Sequence, residues 1–174
     1  MNRLVYISVY GTKEPEQGMY ERLLYKLLEE RKPYQNISHK KMPTFVDHVK
    51  FVRGKPYKNW CIVQEEDTNQ FLGSIYITNQ DEIGIFLFDQ FQYKGYGKRI
   101  LNDVFEICPD IPLFKANIAP LNSASLAFFT NNGFKHNHTM LSEDQKFIVQ
   151  YTYIKSNPYC PVLPKAHGHS AIVD

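Results

Sequence analysis

The chain has 174 residues, of which 43% are apolar, and its 20 basic and 18 acidic residues leave a net charge of +2. This length and apolar content predict one ordinary domain with a hydrophobic core. Because charges of both signs are interspersed, the sequence lacks the broad charged region expected of a protein that binds nucleic acid or a membrane surface.

The cysteines and the N-terminal residues indicate the compartment. Cys61, Cys108 and Cys160 are too scattered for a metal site or a small disulfide framework. The first residues lack the features of a secretion signal, and no apolar run is long enough to span a bilayer. We therefore expect a soluble, cytoplasmic protein. We expect no metal, because no histidine combines with a cysteine or carboxylate at a familiar spacing.

The first third of the chain predicts a short strand followed by two helices. Leucines recur at helical spacing over residues 19–31, and Pro33 ends that pattern. Thr44 is a typical capping residue for a second helix, which Gly54 ends.

The rest of the chain alternates between strands and helices. In chain order we predict strands at 60–63, 71–77 and 83–88, a helix at 95–108, a strand at 113–119, a helix at 122–132, and two closing strands, the second at 147–154. This mixed order predicts an α/β sandwich with helices on both faces of one sheet. The domain is expected to cover residues 1–154, followed by an extended tail at 155–174.

A buried strand leads into a glycine-containing turn and then a helix between residues 82 and 101. Gly95 and Gly97 lack a β-carbon and allow the backbone to approach a ligand, while free N–H groups at the start of the helix favour an anion. The spacing matches neither G-x-x-x-x-G-K-[ST] nor the dinucleotide fingerprint, because Ile100 stands where a third glycine is needed. The turn therefore predicts another kind of diphosphate site.

This turn resembles the signature of the GCN5-related N-acetyltransferases (GNAT), Q/R-x-x-G-x-G/A, because Gln92, Gly95 and Gly97 match its fixed positions. A second motif of that family, N-x-x-[AS]-x-x-x-[YF]-x-x-x-G-F, matches residues 122–134. With the element order, the resemblance covers residues 60–154. It implies a mixed, mostly antiparallel sheet with helices on both faces, in which the fourth and fifth strands splay apart.

The resemblance also implies that acetyl-coenzyme A (acetyl-CoA) is the co-substrate. Backbone N–H groups of the turn would bind its diphosphate, and the strand at 86–88 would pair with its pantetheine arm. The residues implied to bind the coenzyme are Phe86, Leu87, Phe88, Gln92, Tyr93, Lys94, Gly95, Tyr96, Gly97, Lys98, Asn122, Ser125 and Phe129.

Acetylation of an amine needs a proton acceptor, because an ammonium group has no lone pair. Glu82 and Asp81 are the nearest candidates, and strand alternation allows only one of them to face the site. We favour Glu82, whose face carries the space left by Gly84; the alternative is a solvated acidic pair. The resemblance further implies that a backbone N–H near Ile85 or Phe86 stabilises the oxyanion.

The proton donor for the departing thiolate is less clearly indicated. Many GNAT enzymes use a tyrosine at the position of Phe129, which has no proton to donate. Tyr96, Tyr76 and water are the remaining candidates, and packing is the alternative role for each tyrosine.

Residues 37–52 resemble the substrate-side helices of GNAT enzymes that acetylate nucleotide-linked amino sugars. The H-x-x-F spacing of His48 and Phe51 carries this resemblance, and His39 is a candidate ligand or base in the preceding loop. The alternative for His48 is packing or capping. The expected substrate-binding residues are therefore His39, His48 and Tyr76.

Other functions stay open at this point. A peptide amine or a small amine such as a polyamine could replace the sugar, although a polyamine favours an acidic groove. A non-catalytic module that binds the coenzyme is another alternative. A thiol enzyme using Cys61 or Cys108 lacks a nearby base. Pairing of the final strands would give a homodimer.

Overall fold

The computed structural model describes residues 2–37, 41–142 and 146–155. His39, predicted as a site residue, and residues 156–174, most of the predicted tail, lie outside these ranges. Within them the chain forms seven strands and four α-helices. None of these helices combines the length and apolar character needed to cross a bilayer.

The order of elements is the predicted one, and the mixed α/β class is confirmed. The strands are β1 (Leu4–Ser8), β2 (Asn59–Glu65), β3 (Phe71–Ile77), β4 (Ile83–Leu87), β5 (Leu113–Ile118), β6 (Lys135–Leu141) and β7 (Phe147–Ile154). The α-helices are α1 (Glu16–Glu29), α2 (Phe45–Arg53), α3 (Tyr96–Ile107) and α4 (Ser123–Asn131).

The strands form two antiparallel sheets rather than the single sheet that the sequence predicts. One sheet has the order β1-β2-β3-β4 and the other the order β5-β7-β6. An isolated parallel bridge between Glu82 and Lys115 joins them, with the Lys115 N–H donating to the Asp81 carbonyl at 3.0 Å. The predicted splay between the fourth and fifth strands is therefore present, and it divides the sheet.

Local sequence explains the elements that surround this splay. Thr44 caps α2, since its side chain accepts a hydrogen bond from the Asp47 N–H at 3.2 Å. Helix α3 buries Ile100, Leu101 and Val104 on one face. Full burial of each such side chain contributes about 1.5–3 kcal/mol. These contacts hold α2 and α3 against the core beside the opening between β4 and β5.

Candidate active site

The turn between β4 and α3 is held by its own side chains. Gln92 donates through Nε2 to the Leu87 carbonyl at 3.1 Å and to Asp89 Oδ1 at 2.8 Å. Gly95 has φ +84°, a left-handed conformation that glycine adopts without steric cost. Gln92 of the motif therefore stabilises the turn by hydrogen bonding to neighbouring residues of the chain.

The backbone N–H groups of this turn are free to bind a ligand. The first hydrogen bond of α3 runs from the Arg99 N–H to the Gly95 carbonyl at 3.2 Å. Across residues 2–37, 41–142 and 146–155, no protein atom accepts from the backbone N–H groups of Tyr93, Lys94, Gly95, Tyr96, Gly97 and Lys98. Such donors at the positive end of a helix favour an anion.

The two glycines of the turn serve different purposes. A β-carbon on Gly95 would meet no atom within 4 Å, so this position needs glycine for its backbone conformation. A β-carbon on Gly97 would lie 3.1 Å from Phe128 Cε2. The missing side chain of Gly97 thus makes room for Phe128 of α4, a packing requirement in addition to the ligand approach predicted from the sequence.

The splay opens into a cavity of about 560 Å³ enclosed by α1, α2, β3, β4 and β5. Its aromatic lining consists of Phe51, Tyr57, Trp60, Tyr76, Phe86 and Phe129. Its charged and polar lining includes Arg31, Asp47, His48, Glu82 and Asn117. The cavity is thus lined mainly by aromatic rings, with charged groups of both signs.

Glu82 lines the cavity, whereas Asp81 does not. Asp81 turns outward and forms an ion pair with Lys58 at 3.4 Å. Glu82 Oε1 accepts a hydrogen bond from Asn117 Nδ2 at 2.6 Å, and Thr78 Oγ1 lies 3.5 Å from Oε2. The two carboxylates therefore lie on different sides, as predicted, although Asp81 precedes β4 with φ +60° and does not follow strand alternation. Glu82 is the one that lines the cavity.

The space expected beside Gly84 is filled. Tyr76 is the cross-strand partner of Gly84, and its ring lies over it, so that a β-carbon on Gly84 would lie 2.5 Å from Tyr76 Oη. The ring also stacks on Tyr57, with 4.2 Å between centroids. Burial raises the pKa of Tyr76, which keeps its hydroxyl protonated at neutral pH and able to donate.

The two other residues considered for proton donation are placed differently. Tyr96 donates to Glu65 Oε1 at 3.0 Å and packs edge-on against Phe91, and its side chain does not line the cavity. Phe129 does line the cavity but carries no proton. Of the tyrosines named from the sequence, Tyr76 is the one at the cavity.

Backbone alternation along β4 distinguishes the two predicted oxyanion donors. The Phe88 N–H donates to the Leu72 carbonyl at 3.0 Å, and the Glu82 carbonyl accepts from the Thr78 N–H at 2.9 Å. In an antiparallel ladder every second residue points its N–H at the same neighbour, so Phe86 faces β3. Ile85 then faces the opening towards β5, which favours Ile85 as the donor.

His48 has a packing role in addition to its place in the cavity wall. Its Nε2 lies 3.2 Å from the Glu21 carbonyl, so this nitrogen carries the proton, and its ring contacts Tyr25 and Phe45. Burial lowers the pKa of His48, and the imidazole is therefore neutral at physiological pH. These ring contacts agree with the alternative role of His48, which is packing.

Arg31, at the end of α1, lies at the cavity with its guanidinium stacked 3.3 Å from the centre of the Phe86 ring. Burial lowers its pKa, but a guanidinium stays charged at neutral pH. Within the described part of the chain, no carboxylate or carbonyl accepts a hydrogen bond from its side chain. A partly buried cation with free N–H donors therefore lines the cavity.

Comparison with models of known protein families shows which family the chain belongs to. The model of the acetyltransferase (GNAT) domain matches residues 20–135. The chain belongs to the GNAT family. It is an acetyl-CoA-dependent N-acetyltransferase of this type. No curated protein sequence matches it.

Solved structures share the GNAT fold at low sequence identity. A mutant spermidine N-acetyltransferase from Vibrio cholerae superposes with a TM-score of 0.64 at 12% identity, over 87% of this chain and 93% of that one. The ribosomal L7/L12 α-N-protein acetyltransferase RimL, with coenzyme A, gives 0.64 at 18% identity over 87% and 93%. YncA of Salmonella typhimurium, a putative acetyltransferase with acetyl-CoA, gives 0.63 at 10% identity over 92% and 98%.

The second GNAT motif builds the wall of the cavity next to β5. The side chain of Asn122 accepts from the Ser125 N–H at 3.2 Å and so caps α4. Asn122, Ser125 and Phe129 all line the cavity of this GNAT domain. The motif asparagine therefore fixes the start of the helix that carries the other two residues.

Two other kinds of site considered from the sequence are a thiol nucleophile and a metal site. Cys61 does not line the cavity, and burial raises the pKa of its thiol to about 11, so it is a poor nucleophile. Among the described residues, no group of three or more histidine, cysteine, aspartate and glutamate side chains is arranged to hold a metal ion.

Sequence analysis did not name several residues of the cavity, among them Arg31, Tyr57, Trp60 and Asn117. Tyr57 lies in the loop before β2 and Arg31 follows α1, where neither periodicity nor a GNAT motif marks them. A weak signal exists for Trp60, which is the cross-strand partner of Tyr76. For Asn117, the available signal was the alternation of β5, which places it with Lys115 on the less buried face.

Proposed function

We propose that this GNAT enzyme acetylates the primary amine of a nucleotide-linked amino sugar, which attacks acetyl-CoA directly in a ternary complex. The observation that carries this choice of acceptor is Arg31: a partly buried cation without a hydrogen-bonding partner among the described residues, in a cavity lined by aromatic rings. A sugar diphosphate offers both the anion and the ring faces that such a cavity fits.

The turn before α3 fits the diphosphate of the coenzyme. Six consecutive N–H groups, from Tyr93 to Lys98, find no protein acceptor in the described residues, and they lie at the positive end of a helix. Phe86, Leu87 and Phe88 would lie along the pantetheine arm, and Asn122, Ser125 and Phe129 on its other side. Bound here, acetyl-CoA supplies an acetyl group activated as a thioester.

Glu82 is the proposed proton acceptor for the incoming ammonium group. It lines the cavity, and Oε2 has only the long contact to Thr78, so that oxygen is open to a substrate. Tyr76 is the proposed proton donor to the departing thiolate, since its hydroxyl lies in the same cavity and stays protonated. The N–H of Ile85 would stabilise the oxyanion.

Three features of the cavity favour a sugar nucleotide over a polyamine. Arg31 repels a polycation but attracts phosphate. Trp60 Nε1 is buried without a hydrogen-bond partner in the described residues, which suits an oxygen-rich ligand. Tyr57, which stacks face to face on Tyr76, makes this wall of the cavity aromatic, which suits a sugar or base.

A peptide amine is the second candidate, because the cavity is open and a peptide carboxylate would also pair with Arg31. A binding module without turnover is disfavoured by the position of Glu82, which faces the cavity although the neighbouring carboxylate of Asp81 does not. These candidates give different results in one assay.

The test is a screen of amines with acetyl-CoA, in which thiol release is followed by absorbance and the product by mass spectrometry. Amines on nucleotide-linked sugars should be acetylated, with kcat/KM at least about 10-fold above the same sugars without the nucleotide, since lost phosphate contacts cost at least 1.4 kcal/mol. Turnover of spermidine or a peptide alone would contradict the sugar assignment. Coenzyme binding without turnover of any amine would favour the module.

Two neighbouring carboxylates provide a matched pair of variants. Glu82→Gln should lower kcat by about 10²-fold to 10⁴-fold, the usual contribution of a general base, while coenzyme affinity is retained. Asp81→Asn removes the adjacent carboxylate outside the cavity and should retain activity within about 2-fold, because exposed ion pairs contribute little. Equal activity of the two variants would exclude Glu82 as the base.

A further inference from the structure

We propose that Asn117, Gln150 and Asn137 form an amide relay that positions Glu82 for proton abstraction. Each of the three residues comes from a different strand of the second sheet, and the relay ends on Glu82 at the edge of the first sheet. This inference rests on the proposed role of Glu82 as the base. It concerns the hydrogen bonds that hold the Glu82 carboxylate.

The relay runs in one direction. Asn137 Nδ2 donates to Gln150 Oε1 at 3.1 Å, and Gln150 Nε2 donates to Asn117 Oδ1 at 3.0 Å. Asn117 Nδ2 then donates to Glu82 Oε1 at 2.6 Å, the shortest bond of the series. Hydrogen bonds aligned in this way polarise one another, so each amide strengthens the next donor towards the carboxylate.

The burial of Gln150 would destabilise the fold if its amide were not hydrogen-bonded. It is only 7% exposed and follows the buried Ile148 on the same face of β7. A buried amide destabilises a protein unless its polar atoms are hydrogen-bonded, and an apolar side chain would fill this position without that requirement. Both ends of the Gln150 amide are used by the relay.

The outer end of the relay depends on an irregularity of β6. The pairing of β6 with β7 shifts register between His136 and His138, so Asn137 is an extra residue in its strand. Bulges of this kind redirect a side chain and are frequent next to active sites. Here the bulge allows the amide of Asn137 to reach Gln150 Oε1.

The inner end of the relay lies at the splay. The Asn117–Glu82 hydrogen bond crosses from β5 to β4 next to the isolated bridge between Glu82 and Lys115. With Oε1 held by Asn117, Oε2 is left facing the cavity as the oxygen that receives the proton. The relay therefore fixes both the orientation of the carboxylate and the side from which the amine must approach.

Gln150→Met tests the relay because it keeps the volume and removes both hydrogen bonds. We expect kcat to fall by about 10-fold to 100-fold, as misplacement of a reacting group does, with KM for acetyl-CoA unchanged. A pH–rate profile recorded alongside reports on the reacting carboxylate, which a loss of folded protein alone would not change.

Matched variants separate positioning from folding. Thr152→Val alters the next residue on the same face of β7 and should leave kcat and the pH profile unchanged. Asn137→Ala removes only the exposed outer end and should lower kcat by about 2-fold to 3-fold in a stable protein, consistent with a bond worth about 0.5 kcal/mol. Asn137→Ala thus tests the relay even if Gln150→Met fails to fold.

A double variant separates the relay from the function on which it rests. In a Glu82→Gln background, Gln150→Met should cause no further loss of kcat, because the relay acts through Glu82. A full additional loss there would overturn the relay, as would a Gln150→Met protein with lower thermal stability but wild-type kcat and pH profile. Wild-type activity of Glu82→Gln alone would overturn the proposed base instead.

Discussion

The ring of Tyr76 lies across the α-carbon of Gly84, its partner on the next strand, so that this glycine forms the floor on which a cavity aromatic rests. Tyr76 is held there by Tyr57 on its other side and by Phe86. Gly84, which is not part of a turn, therefore helps to set the shape of the proposed acceptor site.

Gly84→Ala should displace Tyr76 and destabilise the protein by about 1–3 kcal/mol, the usual cost of overpacking. The amine KM should rise while coenzyme affinity is retained, because the turn before α3 is distant from this contact. Thermal unfolding and coenzyme titration measure the two effects. Gly18→Ala on α1, whose β-carbon would meet the flexible ends of Glu14 and Arg22, should not destabilise the protein.

Gly95→Ala should weaken coenzyme binding, because φ +84° is unfavourable for alanine by about 1 kcal/mol or more and the N–H groups of the turn would be reoriented. Gly95→Asn should recover part of the affinity, since asparagine tolerates this conformation. Isothermal titration with coenzyme A compares them. Equal affinities for alanine and asparagine would show that backbone conformation is not what this position requires.

The turn shows how far sequence reasoning could go at this site. The free N–H groups could be predicted because they follow from the local backbone geometry of a helix start, whereas the splay of β4 and β5 was implied by the resemblance to the GNAT family. The motif could not distinguish Gly95 from Gly97, since the need for glycine at Gly97 comes from Phe128 on another helix. Contacts between elements distant in sequence leave no trace in a local pattern.

Arg31→Met should lower kcat/KM for amines that carry a phosphate by about 10-fold to 100-fold, because a charge-assisted contact is worth roughly 1.5–3 kcal/mol. An uncharged amine should be acetylated as well as before, which makes it the internal control. Steady-state kinetics with a sugar phosphate amine and its dephosphorylated form measure the difference. An equal loss for both amines would assign Arg31 to the shape of the cavity instead.

His48→Gln should flatten the dependence of stability on pH between about pH 7.5 and 5.5. The folded chain lowers the pKa of His48 through burial, whereas the unfolded chain binds a proton near its ordinary value of about 6.5. The stability that His48 contributes is therefore complete above that value and is lost as the pH falls.

Urea unfolding at several pH values checks the effect of His48→Gln. The parent protein, unfolded under the same conditions, is the reference. A slope that is unchanged in His48→Gln would mean that other groups cause the loss of stability at low pH.

Secondary structure was predicted best where burial gives a clear period. The limits of β3 and β7 agree with those predicted at 71–77 and 147–154, and Thr44 was the correct cap for α2. The limits of β6 could not be predicted, because almost all of its side chains are exposed and no alternation exists to read.

The cavity residues were predicted less well, for a physical reason. Glu82 was found because it directly precedes β4, whose start was predicted correctly. Arg31 and Tyr57 come from segments whose place in the cavity is decided only by how α1 and the loop before β2 pack against β3 and β4. The space beside Gly84 was wrongly taken as empty, since the ring that fills it belongs to a different strand.

At the seam between β4 and β5, backbone groups such as the Ile85 N–H have no sheet partner within residues 2–37, 41–142 and 146–155. An extended ligand laid along β4 would restore sheet hydrogen bonds there, each contributing about 0.5–1.5 kcal/mol. Resistance of the enzyme to heat and proteolysis would then follow the cellular supply of coenzyme, because ligand that binds only the folded state shifts the unfolding equilibrium. The amount of folded enzyme would then be higher in cells that contain more coenzyme A.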